Sequence, residues 1–220
     1  LNHPIQSLVE KFLWEKAYLL LYCWVFAIVW ATVHYSLTGI FTIGTILPVY
    51  GYLRCIDSKQ PVQFLKLDRD NLIAGSVWGG ILAGTFFIIL AMKVYVDGQG
   101  PIYYHWPLMD IINIVIGASL VEEIFFRGFL LQKLMETTNF AKANIVATLL
   151  FALLHFPVWL ADGLTIGELS ESLLYLLGFS WVLGYSFHCS QSLWTPIILH
   201  AANNYFKLAT ISVQYLSSSW

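Results

Sequence analysis

Residues 110–132 read DIINIVIGASLVEEIFFRGFLLQ, an oily run that keeps two adjacent glutamates, Glu122 and Glu123, together with Arg127. A charged side chain in hydrocarbon costs about 2.5–3.5 kcal/mol on insertion scales. Keeping three of them implies a need, either structural or chemical. The surroundings are apolar along the whole chain. Of 220 residues, 58% are hydrophobic and 11% charged, with a mean hydropathy of +0.70. Soluble domains average about 25% charged residues, so the run reads as a helix of an integral membrane protein.

Working outward, the chain divides into about seven apolar segments: residues 18–33, 37–53, 72–92, 108–131, 143–159, 169–187 and 193–213. Most approach the ~20 residues that span hydrocarbon. The second is weakened by Gly39, Gly44, Pro48 and Gly51, and the fifth is interrupted at Pro157. The expected fold is all-α, a polytopic membrane bundle of about seven transmembrane helices, with six to eight as the range. It forms a single membrane-embedded domain over residues 1–220, with a motif-bearing core at about 108–213. No repeat or low-complexity tract divides it, and no cleavable signal is visible.

The basic residues predict an orientation. Lys11 and Lys16 precede the first segment, and Arg54, Lys59, Lys66 and Arg69 fill the link after the second. Arg127, Lys133 and Lys142 lie around the link after the fourth, while Lys93 and Lys207 fall on the other side with Asp97, Asp162 and Glu168. The positive-inside tendency then predicts a multi-pass plasma-membrane protein with a cytoplasmic N-terminus. A net charge of −2 argues for no nucleic acid partner. Cys23, Cys55 and Cys189 are far apart with no CxxC, so no disulfide framework or cysteine metal site is expected.

Polar side chains gather in three of the apolar segments. Glu123 and Arg127 are four apart, share a helical face and can pair, which offsets part of their burial cost. Glu122 is turned about 100° away and lacks that partner, which leaves it freer for chemistry. In FALLHF (151–156), Phe151 lies one turn before His155 and is placed to wall a site around it. In WTPIILHAANN (194–204), His200 and Asn204 share an edge, with Asn203 on a neighbouring face. Each cluster also has a plain packing explanation. Together they supply a carboxylate and an imidazole that take a proton from water. They also supply two hydrogen-bond donors for a carbonyl oxygen turning negative. Water access is expected at the Arg127 end of its segment. The other histidines, His3, His34, His105 and His188, carry less information, and the serines lack a GxSxG setting.

The pattern EExxxR at Glu122, Glu123 and Arg127, then FxxxH at Phe151 and His155, then HxxxN at His200 and Asn204 resembles the CPBP family. This family comprises the CAAX prenyl proteases and bacteriocin-processing enzymes, also called the Abi family. The likeness covers roughly residues 110–206. It implies a CAAX-protease-like fold and an intramembrane endopeptidase. In that reading Glu122 and His155 activate water, His200 and Asn204 hold the oxyanion, and Glu123, Arg127 and Phe151 support them. A glutamate-dependent reaction without a metal cofactor is the preferred expectation. The alternative is a zinc-dependent form held by Glu122, His155 and His200. The implied partners are the lipid bilayer and a peptide or protein substrate, with proteins prenylated at a C-terminal CAAX among the candidates. A further membrane-protein partner is compatible with it. The rival classes are a non-catalytic scaffold or immunity protein that retains the motifs, and a transporter.

Overall fold

The computed structural model describes residues 3–35, 38–96 and 108–217, and every regular element among them is helical. Helices satisfy each backbone group within the segment, which is what an oily environment requires. The chain begins with α1 (His3–Tyr35) and α2 (Thr38–Gly51), and α2 continues into a wide turn, π1 (Tyr52–Ile56). Short α3 (Pro61–Phe64) leads into α4 (Arg69–Val96). The glutamate-bearing run comprises α5 (Leu108–Asp110), π2 (Ile111–Ala118), α6 (Ser119–Glu123), π3 (Ile124–Leu131) and α7 (Gln132–Met135). Then follow α8 (Phe140–Ala161), α9 (Ile166–Ser190) and α10 (Trp194–Ser217). The termini are set locally. The Asn139 side chain accepts from the Lys142 backbone N–H at 3.0 Å to start α8, and Thr165 with Glu168 forms a capping box for α9.

The centre of the molecule is π3, whose eight residues are all buried. Its π geometry, with a wider turn than an α-helix, is often found next to functional sites. Phe126 meets Phe151 edge-on at 4.9 Å, and Phe129 meets Tyr52 edge-on at 5.1 Å. These contacts tie π3 to α8 and π1. At Gly128 an added Cβ would come within 2.9 Å of both Leu65 and Leu193 side chains, so the absence of a side chain there lets two neighbours close on π3. α4 packs along α10 in the same manner. A Cβ at Gly75 would meet Ser192 and Trp194, and one at Gly79 would meet Ile198. Small residues of this kind let membrane helices approach closely.

The number of spans departs from expectation. Among the described residues, three stretches are long and apolar enough to cross a membrane: Pro61–Met92, Phe140–Ala161 and Ile166–Ser190. The expected bundle of about seven is therefore corrected to three, while the all-helical class holds. Ala17–Val33 and Phe41–Ile56 are apolar but shorter. Glu122, Glu123 and Arg127 interrupt the fourth expected segment, and His200, Asn203, Asn204 and Lys207 interrupt the last. Multi-pass membrane character rests on the three stretches. On α4, Ile73, Val77, Trp78, Ile81, Ile88 and Met92 are each more than 50% exposed, a surface suited to lipid rather than water. His105 and Asp97 lie outside the described residues, as do the side chains of His3, Lys11, Lys16, His34 and Lys93.

Two of the basic links meet. Lys133 Nζ lies 2.9 Å from Asp57 Oδ2, and Glu136 pairs with both Lys133 and Lys59. The link after π1 and the turn after α7 thus share one end of the bundle.

Candidate active site

The two adjacent glutamates have different surroundings. Glu123 is fully buried, and its Oε1 accepts from Arg127 Nη1 at 2.8 Å. The same oxygen lies 2.7 Å from His200 Nδ1. Arg127, 1% exposed, also donates through Nη2 to the Ser180 carbonyl at 2.9 Å and the Ser180 hydroxyl at 2.7 Å. Its guanidinium rests over the Phe151 ring, 4.6 Å from the centroid. Every strong interaction of this buried cation is therefore internal, and it draws α8 and α9 toward the glutamate pair, while Glu123 itself reaches α10 through His200.

Glu122 faces a different space. It lines a cavity of about 200 Å³ together with His155, under walls from α1, α2, π2 and α8. Its Oε2 is enclosed, makes no hydrogen bond, and lies 3.8 Å from His200 Nε2. Phe151 stacks at a tilt 4.7 Å from the His155 ring and stands edge-on to His200 at 6.1 Å. The Phe151 carbonyl accepts from His155 Nδ1 at 2.9 Å. A carbonyl only accepts, so Nδ1 carries the proton and Nε2 of the neutral ring keeps a lone pair. On His200, Nδ1 lies against Glu123 Oε1 and Nε2 is turned toward Glu122. The cavity extends from Glu122 toward Ala118, away from Arg127. Access at the Arg127 end, the expectation from sequence, is corrected, because Arg127 is enclosed by Glu123, Ser180 and Phe151.

Asn204 lies one turn beyond His200 on α10, where its Nδ2 donates to the Ile114 carbonyl at 3.1 Å and to the Ser119 hydroxyl at 3.0 Å. Ser119, buried one turn before Glu122 on α6, is a partner that sequence reading missed. Ser180 is another. Both are ordinary small residues in a membrane helix and give no signal of their own. Asn203 is buried and accepts from the Tyr175 hydroxyl on α9, a helix-to-helix contact. Among the described residues no group of three His, Cys, Asp or Glu side chains is arranged to hold a metal ion.

Comparison with known proteins finds relatives for part of the chain. Residues 104–206 match the family described as "Type II CAAX prenyl endopeptidase Rce1-like". Over that stretch the chain is a homologue of the Rce1-like CAAX proteases. All three motif clusters fall inside the Rce1-like region. A curated relative, "Putative membrane peptidase YdiL" of Bacillus subtilis (strain 168), is 31% identical over 101 residues, covering 46% of this chain and 36% of that protein. The matched region thus spans about a third of the relative's length. A comparison with solved structures finds no significant match. The likeness to the Rce1-like family covers residues 104–206, a little under half of the chain. It leaves α1 to α4 outside, although α1 and α2 supply walls of the Glu122 cavity.

Proposed function

We propose that this protein is an intramembrane endopeptidase in which Glu122 and His155 activate a water molecule, and His200 and Asn204 hold the oxyanion. The observation that carries the reading is that Glu122 and His155, from different helices, line one cavity with His200 Nε2 3.8 Å from Glu122. Water gives a proton to the Glu122 carboxylate, with His155 Nε2 as the second acceptor, and its oxygen bonds to the scissile carbonyl carbon. The carbonyl oxygen becomes an alkoxide held by N–H donors of His200 and Asn204. The C–N bond then breaks, and the proton on Glu122 passes to the leaving nitrogen. For its part His200 needs a proton on Nε2 as well as Nδ1, and Asn204 exchanges Ser119 for the oxyanion. Glu123, Arg127, Phe151 and Ser180 keep these groups in place.

The substrate is a peptide or protein at the membrane. A chain ending in a prenylated CAAX is the first candidate, on the strength of the family description. Residues 1–220 act as one membrane-embedded domain with the motif core at about 108–213. The N-terminus is cytoplasmic, supported by the meeting of Lys59 and Lys133 at one end of the bundle.

The test is cleavage by purified protein in lipid nanodiscs. Matched fluorogenic peptides end in CAAX with and without a farnesyl thioether, alongside a membrane-inserted helical peptide. Glu122→Gln preserves shape and removes the base. Loss of cleavage by at least about 100-fold with an unchanged melting temperature is expected. Full activity in Glu122→Gln would overturn the assignment.

A further inference from the structure

The cavity beside Glu122 and His155 has one more polar group, and it comes from a helix that the family match does not reach. Thr32 of α1 lines the cavity, and its Oγ1 is enclosed without a hydrogen-bond partner. A threonine hydroxyl inside a helix ordinarily bonds the carbonyl one turn back. Thr85 does so, donating to Ile81 at 2.9 Å, whereas Thr32 makes no such bond. A buried hydroxyl without a partner is costly, as is the enclosed Glu122 Oε2. The two residues that carry these oxygens line one largely apolar cavity together with His155. A guest that satisfies both must be small and polar, and able both to donate and to accept. Water fits: buried waters typically make about three hydrogen bonds, and the ~200 Å³ space exceeds the ~30 Å³ that one occupies.

We propose that Thr32 is a positioning residue for the nucleophilic water. The inference rests on the reading of Glu122 and His155 as the water-activating pair. The water donates its two protons toward Glu122 Oε2 and His155 Nε2 and receives the Thr32 O–H on one lone pair. Its second lone pair is left to attack. Thr32 touches the water alone and takes no proton in the reaction. By this account α1, lying outside residues 104–206, completes the site rather than merely flanking it.

The experiment compares Thr32→Val, which keeps the shape and removes the hydroxyl, with Thr32→Ser, which keeps the hydroxyl. Both are measured in nanodiscs for melting temperature and for kcat and KM on whichever of the matched peptides the wild type cleaves. Thr32→Val is expected to lose about tenfold in kcat with KM within about twofold, and Thr32→Ser to recover most of the loss. The melting temperature of Thr32→Val stays at or below the wild type, because the hydroxyl it removes was satisfied by water. Unchanged kcat, or a change confined to KM, overturns the proposal. So does a rise in melting temperature, which marks the hydroxyl as unpartnered in the folded protein, and this arm decides even if none of the peptides is cleaved. Glu122→Gln run in parallel separates the two claims. If it is inactive while Thr32→Val is fully active, the Thr32 assignment alone falls. If Glu122→Gln cleaves normally, the water-activating reading itself falls.

Discussion

His200 Nδ1 and Glu123 Oε1 lie 2.7 Å apart, and this contact joins α10 to the glutamate-bearing run. Because Arg127 Nη1 meets the same oxygen at 2.8 Å, one carboxylate holds an imidazole and a guanidinium at once. Removing it leaves Arg127 charged, 1% exposed and without its counter-ion. Breaking one side of a buried pair costs about 3–5 kcal/mol, whereas replacing both sides with apolar groups is often much milder. Glu123→Ala is therefore expected to lower the melting temperature sharply. The double change Glu123→Leu with Arg127→Leu should be less damaging than the two single changes combined. Thermal unfolding in detergent checks this; a wild-type melting curve for Glu123→Ala would show that the pair does not carry the packing.

Ser119 and Asn204 give a second expectation. Asn204 spends its N–H groups on the Ser119 hydroxyl and the Ile114 carbonyl. Deleting the hydroxyl frees one donor for an oxyanion while the other stays anchored. Ser119→Ala should thus keep kcat at or above the wild-type value. Asn204→Ala should lower it by about 100-fold, the usual scale for losing one oxyanion donor. Steady-state kinetics decide. An equally deep loss in both variants would mean that Ser119 must hold the amide for it to act.

The parts of this site that sequence alone reveals are those whose presence in oil is expensive. Glu122, Glu123, Arg127, His155 and His200 stand out because ionisable groups are rare in apolar helices, and a spacing of four predicts the Glu123–Arg127 contact. Ser119, Ser180 and Thr32 do not stand out, since a small hydroxyl costs little and is common in such helices. Their roles exist only once α6, α8, α9 and α1 are brought together. The wide turns of π2 and π3 were equally illegible, being a property of the backbone with no residue signature here. Composition also overstated the spans. Apolar character marks each of the seven segments, but α6 with π3, and α10, carry too many polar groups to read as simple crossings.

The glycines of α4 make a third prediction, one that concerns packing only. At Gly75 a Cβ would clash with Ser192 Oγ, which itself donates to the Asn71 carbonyl at 2.7 Å. Gly75→Ala must displace that hydroxyl and push α10 outward, a strain of about 1–3 kcal/mol. Gly80 and Gly84 lie on the same helix with nothing within 4 Å of the added carbon. There alanine gains up to about 1 kcal/mol of helix propensity. Melting temperatures should therefore fall for Gly75→Ala and hold or rise for Gly80→Ala and Gly84→Ala. The same response at all three positions would rule out close α4–α10 contact as the cause.

Acid should loosen the end of the bundle where Lys59, Asp57, Lys133 and Glu136 meet. Burial is the largest single influence on Glu136 and acts to raise its pKa. Hydrogen bonds and charge from Lys133 and Lys59 outweigh it and leave the carboxyl below its ordinary value of 4.5. A carboxylate whose pKa is lowered by folding stabilises the protein above its unfolded pKa, and loses that contribution as pH falls through the folded value. At Lys133 the sign is opposite. Burial again is the largest influence and acts to lower its pKa, but hydrogen bonds to Asp57 and Glu136 leave it raised above 10.5, so its contribution is lost only in strong alkali. Glu136 is partly exposed, so solvent screens the pair and the effect is modest. Wild-type protein should melt higher than Glu136→Gln at pH 6–7, about two units above the ordinary carboxyl value. The gap should close once the pH falls below the folded pKa of Glu136. Melting curves across that range provide the check. A gap that stays constant down to strong acid would assign the difference to packing of the glutamate side chain and not to its charge.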